Sequence, residues 1–435
     1  ADTELRFAVG MGRIYLTQAR GEYAVQERLI SQTRRLIDET DRLRHAQLDS
    51  LEGLARWNAG EVEAAYLAFE EDAAGFEAAG SEIFAISASF AKGLVAESAG
   101  RLKEAKRIFK TAADRHERTR ASLLSSQAGV QLEQYRLSEA EAIMEEARRL
   151  GEQSALPGWN YRRRIIEVRL AVARREYARA EKLLAEAAAL RYRGPMPDRF
   201  PPETLQALID IERGDAKLAV SRLSRSAPDK EQFPSEFALL VKARALMADT
   251  AGGSVALIDL NHLLGDLRNR AREQGRSASL TDILLMEAAL AETAGDRGTA
   301  SALLTGALEA AEADARSLPF ICGIADEKII ARLLQYTAAE GRLSAFGRQV
   351  SAQIPGVSTG QAAALPLGES LSPRETEVLA LIAAGYSNQR ISETLFLALS
   401  TVKGHNAKIF EKLGVKRRTE AVAKAQKLGI IPSPV

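Results

Sequence analysis

A six-residue pattern recurs along the chain at intervals close to 40 residues, and it constrains the fold more than any other feature. The pattern begins with a small or turn-forming residue and closes with alanine, and it lies between two apolar helical stretches. Its copies are Gly60–Ala65, Gly100–Ala105, Tyr135–Ala140, Arg175–Ala180, Gly214–Ala219 and Gly295–Ala300. The alanines at 65, 105, 140, 180 and 219 are 40, 35, 40 and 39 residues apart. A period of this length is typical of stacked helix-pair repeats.

Two weaker copies, at Gly21–Val25 and Gly253–Leu257, occupy the remaining intervals, so we expect about eight units. Each unit has room for two helices of about 14 to 17 residues joined by a tight turn. Glycine supplies the positive φ that ends a helix, and the small alanine lets paired helices approach closely. Because a single pair cannot bury its apolar stripe, the pairs are expected to stack into a superhelix over residues 1–350. The alternative is an irregular helical bundle.

Composition favours an all-α fold. Alanine, leucine, glutamate and arginine dominate the 435 residues, whereas there are only 13 prolines and two tryptophans. Unbranched side chains lose little rotamer freedom in a helix, so this mixture favours helix throughout. No apolar run approaches the roughly 18 residues that span a bilayer, and no signal peptide opens the sequence. We therefore expect a cytoplasmic protein.

Charge is distributed unevenly along a chain whose net charge is only +1. From Glu369 onward there are ten Lys/Arg and six Asp/Glu, a net of +4, which leaves −3 for all earlier residues. A basic segment of this kind is where contact with nucleic acid is expected. Residues 351–369 precede it and are rich in Pro, Gly, Ser, Thr and Ala, a composition that predicts a flexible linker.

Four short helices are predicted in the last domain, residues 370–432. The first begins with Ser372 as its N-cap and Pro373 at the first helical position, where no N–H group is needed. The second and third are joined by a tight turn within about residues 388–413, and the fourth covers about residues 419–428. The third helix is rich in lysine and has small side chains near its start. Two short helices arranged in this way indicate a helix-turn-helix.

Spaced positions across this domain carry a family resemblance. They are Leu371–Leu379, Gly385–Asn388, Ile391, Thr401–Lys403, His405 and Lys412–Val415. Together they resemble the LuxR/GerE-type DNA-binding domain over its whole length. The resemblance implies a transcription regulator whose third helix enters the major groove of double-stranded DNA, with RNA polymerase as an expected partner. It also implies a homodimer on DNA that pairs through the fourth helix, with Val422, Ala425 and Gln426 as contacts.

The same resemblance assigns the base-facing positions of the third helix to Lys403, Gly404 and Ala407. Lys403 can donate to guanine or to phosphate, whereas the two small residues offer little readout. Phosphate contacts are expected from further residues on and after this helix. They are Ser400, Thr401, His405, Lys408, Lys412, Lys416, Arg417 and Arg418. Because direct readout is weak, we expect specificity to depend on DNA shape and on dimerisation.

The repeats resemble tetratricopeptide repeats but are longer than the usual 34 residues or so. In this respect they are similar to the superhelical sensor domain of MalT-like regulators, the large ATP-binding branch of the LuxR family. That branch carries an NTPase module before its repeats, whereas this sequence has no phosphate-binding loop. We therefore expect no cofactor in this portion, and ATP only in a module that would precede Ala1. The alternative is a regulator that naturally has no NTPase.

The MalT-like resemblance implies an effector site on the concave surface of the superhelix. The densest mixture of aromatic and cationic residues before the linker is Trp159–Arg164. Trp159, Tyr161 and Arg164 are therefore the candidate contacts for a sugar or an anionic small molecule. The alternative is that the two aromatic residues pack in the interior beside a solvated run of arginines.

No arrangement of residues predicts an enzyme or a metal site in this portion. The four histidines, His45, His116, His262 and His405, are scattered, and the single cysteine, Cys322, excludes an intramolecular disulfide. Cys322 lies in an apolar stretch and is expected to be a small buried hydrophobe. Two hypotheses remain. One is a signal-responsive transcription regulator, and the other is a scaffold whose repeats bind another protein while DNA binding targets it.

Overall fold

The computed structural model confirms the all-α prediction, because its described residues form helices and no strands. Those residues are 2–20, 22–115, 117–150, 158–191, 196–226, 232–249, 254–354, 373–383, 385–395, 399–413, 415 and 417–427. They divide into two compact units, residues 1–357 and residues 358–435.

Among the described residues of the first unit, sixteen helices follow one another as eight contacting pairs. The first four pairs are α1 (Asp2–Arg20) with α2 (Tyr23–Arg34), α3 (Arg42–Ala59) with α4 (Val62–Ala78), α5 (Glu82–Ala99) with α6 (Leu102–Arg115), and α7 (Arg120–Glu133) with α8 (Leu137–Arg149). The other four are α9 (Trp159–Ala173) with α10 (Tyr177–Ala189), α11 (Pro202–Glu212) with α12 (Ala216–Ser226), α13 (Glu236–Ala248) with α14 (Ser254–Glu273), and α15 (Ser277–Thr293) with α16 (Arg297–Glu312).

Three further helices complete this unit: α17 (Leu318–Cys322), α18 (Glu327–Ala339) and α19 (Ala345–Gln353). Short 3-10 turns precede α7 and α13, at Glu117–Thr119 and Phe233–Ser235. Helix α19 continues three residues into the segment assigned to the linker. The rest of that segment, from residue 355 to residue 369, lies outside the described residues.

The recurring six-residue pattern forms the turn inside each pair. Every opening residue of the six full copies has a positive φ, including Tyr135 at 56° and Arg175 at 61°. Each turn makes the same two hydrogen bonds; at Gly60, for example, its own N–H bonds to Trp57 O at 3.0 Å and the N–H of Glu61 bonds to Arg56 O at 2.9 Å. This Schellman arrangement satisfies the last carbonyl groups of the first helix. All six closing alanines are fully buried, which is the close helix approach that the pattern predicts.

The later repeats return to the earlier ones, so the array closes on itself. Ser277 Oγ at the start of α15 donates to Ala99 O at the end of α5 over 2.9 Å. A β-carbon on Gly100 would lie 2.3 Å from Ser277 Oγ, so only glycine fits this junction. Asp314, which follows α16, accepts a hydrogen bond from the N–H of Lys103 over 2.8 Å. We call this junction between the early and late repeats the seam.

The part of the second unit that the structure describes forms four helices: α20 (Pro373–Ala383), α21 (Asn388–Leu395), α22 (Leu399–Leu413) and α23 (Arg418–Lys427). Their apolar sides meet in one core. Its fully or almost fully buried members are Val378, Leu379, Ile382, Ile391, Val402, Ile409, Ala421 and Ala425. Each helix is too short to be stable alone, so this common core holds the unit together.

Candidate nucleic-acid interface and repeat interior

Helix α22 has one buried side and one exposed side. Val402 and Ile409 are fully buried in the core of the unit. Thr401, Lys403 and Lys408 are exposed on the opposite side. Within the described residues the two lysines form no ion pair, so their charges are available to a phosphate or a base edge.

Gly404 lies on the same exposed side of α22, and a β-carbon there would meet no atom within 4 Å. The side chain of His405 is half-buried. A groove in DNA could therefore approach the backbone of α22 closely at Gly404. The structure does not describe the side chains of three predicted contacts, Ser400, Ala407 and Lys412. A fourth, Lys416, lies outside the described residues.

A hydrogen-bonded clamp centred on Asn388 fixes α22 against its neighbours. Asn406 Nδ2 on the buried side of α22 donates to Asn388 Oδ1 over 2.9 Å. Arg418, at the start of α23, donates to the same oxygen over 3.4 Å and also to the backbone carbonyls of Ile382 and Tyr386. Arg418 was predicted to contact phosphate, and in this structure its guanidinium joins α20, α21 and α23.

The neighbouring Arg417 is exposed and begins α23 as its N-cap residue. Its backbone N–H donates to Glu420 Oε2 over 3.3 Å, which is one half of a capping box. Of the predicted dimer contacts on α23, Val422 is half-buried and Ala425 is fully buried in the core of its own unit. The side chain of Gln426 lies outside the described residues.

The interior of the repeat unit contains a network of buried charges. Arg316, which follows α16, donates to Glu133 Oε2 at 2.7 Å and to both carboxylate oxygens of Asp282 at 2.9 and 3.1 Å. Arg169 binds the other oxygen of Glu133. Burial alone would raise the pKa of Glu133, but the two guanidinium groups outweigh burial and lower it to about 2. The network joins α7 to α9, α15 and the segment before α17.

Two cavities adjoin this network and share Arg169, Arg199 and Phe200 in their walls. The larger contains about 810 Å³ of space, its mouth included, and reaches from α9 to α17. The smaller contains about 660 Å³ and is bounded in part by Glu97 and Tyr161. The first helix of successive repeats supplies most of both walls, so the interior of the closed array is where a small molecule could be enclosed.

The three residues predicted to contact an effector do not share one cavity. Trp159 and Tyr161 are each 5% exposed. Tyr161 borders the smaller cavity and donates from its hydroxyl to Asp198 Oδ2 over 2.8 Å. Arg164 binds Glu167 and Glu186 at 2.5 and 2.8 Å. Only Tyr161 among the three lines either cavity.

Comparison with known families agrees with both units. The family described as "MalT-like TPR region" matches residues 14–321, more than half of the 435-residue chain. The chain belongs to this family. The family "Bacterial regulatory proteins, luxR family" matches residues 369–425, which include all four helices of the second unit except the last residues of α23. The chain thus contains a MalT-like repeat region followed by a LuxR-type DNA-binding domain, and both resemblances are confirmed.

Two curated relatives match the chain over a length close to that of the LuxR-type domain. The HTH-type transcriptional regulator MalT of Yersinia pestis (strain Pestoides F) is 48% identical over 58 residues, which are 13% of this chain and 6% of that protein. The oxygen regulatory protein NreC of Staphylococcus aureus (strain JH9) is 49% identical over 57 residues, 13% of this chain and 26% of that protein. The chain therefore spans a small part of the length of these relatives.

The described part of the MalT-like chain holds no group of three or more His, Cys, Asp or Glu side chains that could bind a metal ion. None of its described helices is long and apolar enough to cross a membrane. Burial raises the pKa of the Cys322 thiol to about 12, so this residue is a neutral thiol at pH 7.

Sequence reasoning missed the residues that organise the two sites. Asn388 was noted only as part of a family motif, and Arg199 and Arg316 were not singled out. The partners of Arg316 lie 183 and 34 positions earlier in the sequence. No local pattern relates groups so far apart, although an arginine in the apolar segment Ala315–Cys322 is a signal that a partner is needed.

Proposed function

We propose that this protein is a transcription regulator whose MalT-like repeat region binds a small-molecule effector and thereby controls DNA binding by the LuxR-type domain. The observation that carries the DNA-binding part is the exposed side of α22, where Lys403 and Lys408 lack ion-pair partners among the described residues. In this proposal α22 enters the major groove and Lys403 contacts a base or a phosphate. Lys408 and Arg417 contact phosphates.

Arg418 has a different part in the proposal. Its guanidinium is engaged with Asn388 and two backbone carbonyls, so it holds α22 in position, and a phosphate would meet only its remaining donors. Dimerisation through α23, with Val422 as its contact, and recruitment of RNA polymerase complete the proposal. No catalytic step is proposed for this portion of the protein.

The interior cavities favour a small-molecule effector over a protein partner. Their walls come from the inner helices of the closed array and lie beside the buried charge network. Concave spaces of this size suit a small molecule, whereas a folded polypeptide needs a much more extended surface. The scaffold hypothesis would instead require a binding surface on the outside of the repeats.

Lys403→Ala tests the DNA-binding part. The probe is a duplex that the wild-type protein selects from a randomised pool, and its affinity is measured by fluorescence anisotropy between 50 and 300 mM salt. We expect binding to weaken and the slope of log K against log salt to fall by about one if Lys403 contacts phosphate. The control is Lys110→Ala, which removes the same charge from an exposed position of the repeat region. Equal affinity and equal slope for both variants would refute the role of Lys403.

A further inference from the structure

Arg199 is a cationic residue of the repeat interior that makes no hydrogen bond among the described residues. It is enclosed by protein but part of its side chain is open to the cavities. Its guanidinium lies 5.3 Å from the ring centres of both Phe200 and Phe233. Among the described residues it has no hydrogen-bond partner, so its N–H donors face the cavity space.

Two acids act on Arg199 through their charge: Glu97, which makes no hydrogen bond to it, and Glu133, which is already bound by other arginines. Glu133 is bound by Arg169 and Arg316, and Asp282 is bound by Arg316. Aromatic rings attract a guanidinium but do not accept its in-plane hydrogen bonds. An arginine whose donors face a cavity without a protein acceptor takes its acceptors from outside the chain, either water or a ligand.

The rest of the larger cavity is mostly apolar. Phe233, Phe237, Leu205, Leu208 and Leu240 form much of its wall. These side chains can enclose a hydrocarbon group but offer no further charge to a ligand. A dianion such as inorganic phosphate would need a second unpaired cation, whereas a carboxylate matches the planar fork of one guanidinium.

We propose that the cavity at Arg199 binds a small monocarboxylate with an apolar body, and that this class of molecule is the effector of the repeat region. The carboxylate accepts two hydrogen bonds from Arg199, and the apolar body lies against Phe233 and the leucines. The identification of the site with effector sensing rests on the proposed function, while binding at Arg199 can be tested without it.

Glu97 gives this site a pH dependence. Its carboxyl borders the smaller cavity near Arg199 and accepts no hydrogen bond from the described residues. Burial and the neighbouring Glu133 raise its pKa to about 7, against the opposing effect of Arg199, Arg169 and Arg316. Below pH 7 the neutral Glu97 leaves Arg199 free for a ligand, and above pH 7 the ionised Glu97 repels a carboxylate. Affinity is therefore expected to fall by up to about tenfold between pH 6 and pH 8.

Isothermal titration of the whole protein with phenylacetate and 4-methylpentanoate at pH 6.5 tests the binding, and phenylacetamide is the neutral counterpart. We expect Arg199→Gln to weaken carboxylate binding at least about tenfold. The control Arg179→Gln changes an exposed arginine that pairs only with Glu176, and it should bind like the wild type. Arg199 has no hydrogen bond to lose, so its variant should keep the wild-type circular dichroism, and the loss of its ring contacts should lower the melting temperature only slightly.

Glu97→Gln supplies a second test that does not depend on losing affinity. This variant cannot ionise, so it should bind phenylacetate at pH 8 as tightly as the wild type does at pH 6. The proposal is overturned if neither carboxylate binds, if phenylacetamide binds as tightly as phenylacetate, or if Arg199→Gln and Arg179→Gln behave alike.

Affinity for the selected DNA duplex, measured with and without phenylacetate, separates this inference from the proposed function. Carboxylates that bind at Arg199 without changing DNA affinity would leave the site in place and overturn its role as the effector site. If carboxylates fail to bind but another small molecule changes DNA affinity, the ligand class is wrong and effector sensing stands.

Discussion

Replacing Arg316 with methionine should open the seam between the early and late repeats. The side chain makes four hydrogen bonds, to Glu133, to Ala278 O and to both carboxylate oxygens of Asp282. Methionine fills a similar volume but leaves Asp282 buried without its cationic partner and Glu133 with Arg169 alone. Breaking a buried ion pair from one side lowers the free energy of unfolding by about 3–5 kcal/mol, because an uncompensated charge remains.

The expected loss can be measured by urea unfolding at pH 7, followed by circular dichroism, and located by hydrogen exchange. Stacked repeats can unfold in parts, so hydrogen exchange locates the change more precisely than urea unfolding does. Exchange should become faster in α5, α7 and α15 before it does in α1 or α2. Arg342→Met is the matched control, because Arg342 is half-exposed and pairs only with Glu340. That variant should change stability by no more than about 0.5 kcal/mol.

A loss smaller than about 1 kcal/mol for Arg316→Met, with unchanged exchange at the seam, would refute this account of the buried network. A double-mutant cycle with Glu133→Gln would then show whether the two groups interact at all. A coupling free energy near zero would mean that solvent screens the pair despite its burial.

Three further predictions concern single residues. Arg418→Met should destabilise the LuxR-type domain by about 1.5–3 kcal/mol, because charge-assisted hydrogen bonds are lost. Hydrogen exchange in α21 to α23 should be faster in this variant than in Arg417→Met, which changes an exposed residue. Equal exchange in the two variants would contradict the clamp at Asn388. Gly404→Ala should stabilise this domain by about 0.5–1 kcal/mol in thermal unfolding, since its β-carbon meets nothing, and a destabilised variant would show an unseen contact. The native pKa of Glu133 lies below its unfolded value, so its contribution to stability is complete above about pH 4.5 and is lost as the pH falls toward 2. Acid titration of wild type and Glu133→Gln should therefore show their stabilities converging in that range, and a constant difference would contradict it.

The repeat turns could be predicted because their cause is local. A glycine that ends one helix and an alanine that lets the next approach lie five positions apart, so a single stretch of sequence contains both requirements. The period of about 40 residues predicts the turn even where glycine is absent. Tyr135 and Arg175 have the positive φ of the other turns, although a residue with a β-carbon costs about 1–2 kcal/mol there.

The return of the late repeats to the early ones could not be predicted in this way. It depends on contacts such as Ser277 with Ala99 and Arg316 with Glu133, which are separated by 178 and 183 residues. A superhelix accumulates a small rotation at every repeat, so its closure is a property of the whole array. For the same reason, the MalT-like resemblance implied a concave surface, with Trp159 and Tyr161 as candidates, but not the cavities that adjoin the buried charge network.

The position of an arginine in the sequence likewise does not decide its role in the DNA-binding domain. Arg417 and Arg418 are adjacent, yet the first is exposed and the second is bound to Asn388 and to backbone carbonyls. The sequence does not show which backbone carbonyl groups an arginine such as Arg418 will reach, because every residue carries one. Lys403 and Lys408 could be assigned to the exposed side because helical periodicity places Val402 and Ile409 inward.

An effector bound at Arg199 would act on the same junction as Arg316. The cavity wall includes residues of α9 and α11 from earlier repeats and of α15 and α17 from later ones, so a ligand there contacts both sides of the closed array. At a hundred times its dissociation constant, such a ligand stabilises the closed form by about 2.7 kcal/mol if it binds no other form. That is comparable to the effect expected from one member of the buried charge network. Binding of such an effector would therefore be strong enough to change how often the seam opens, and any change in DNA binding would have to come from the difference in affinity between the closed and open forms.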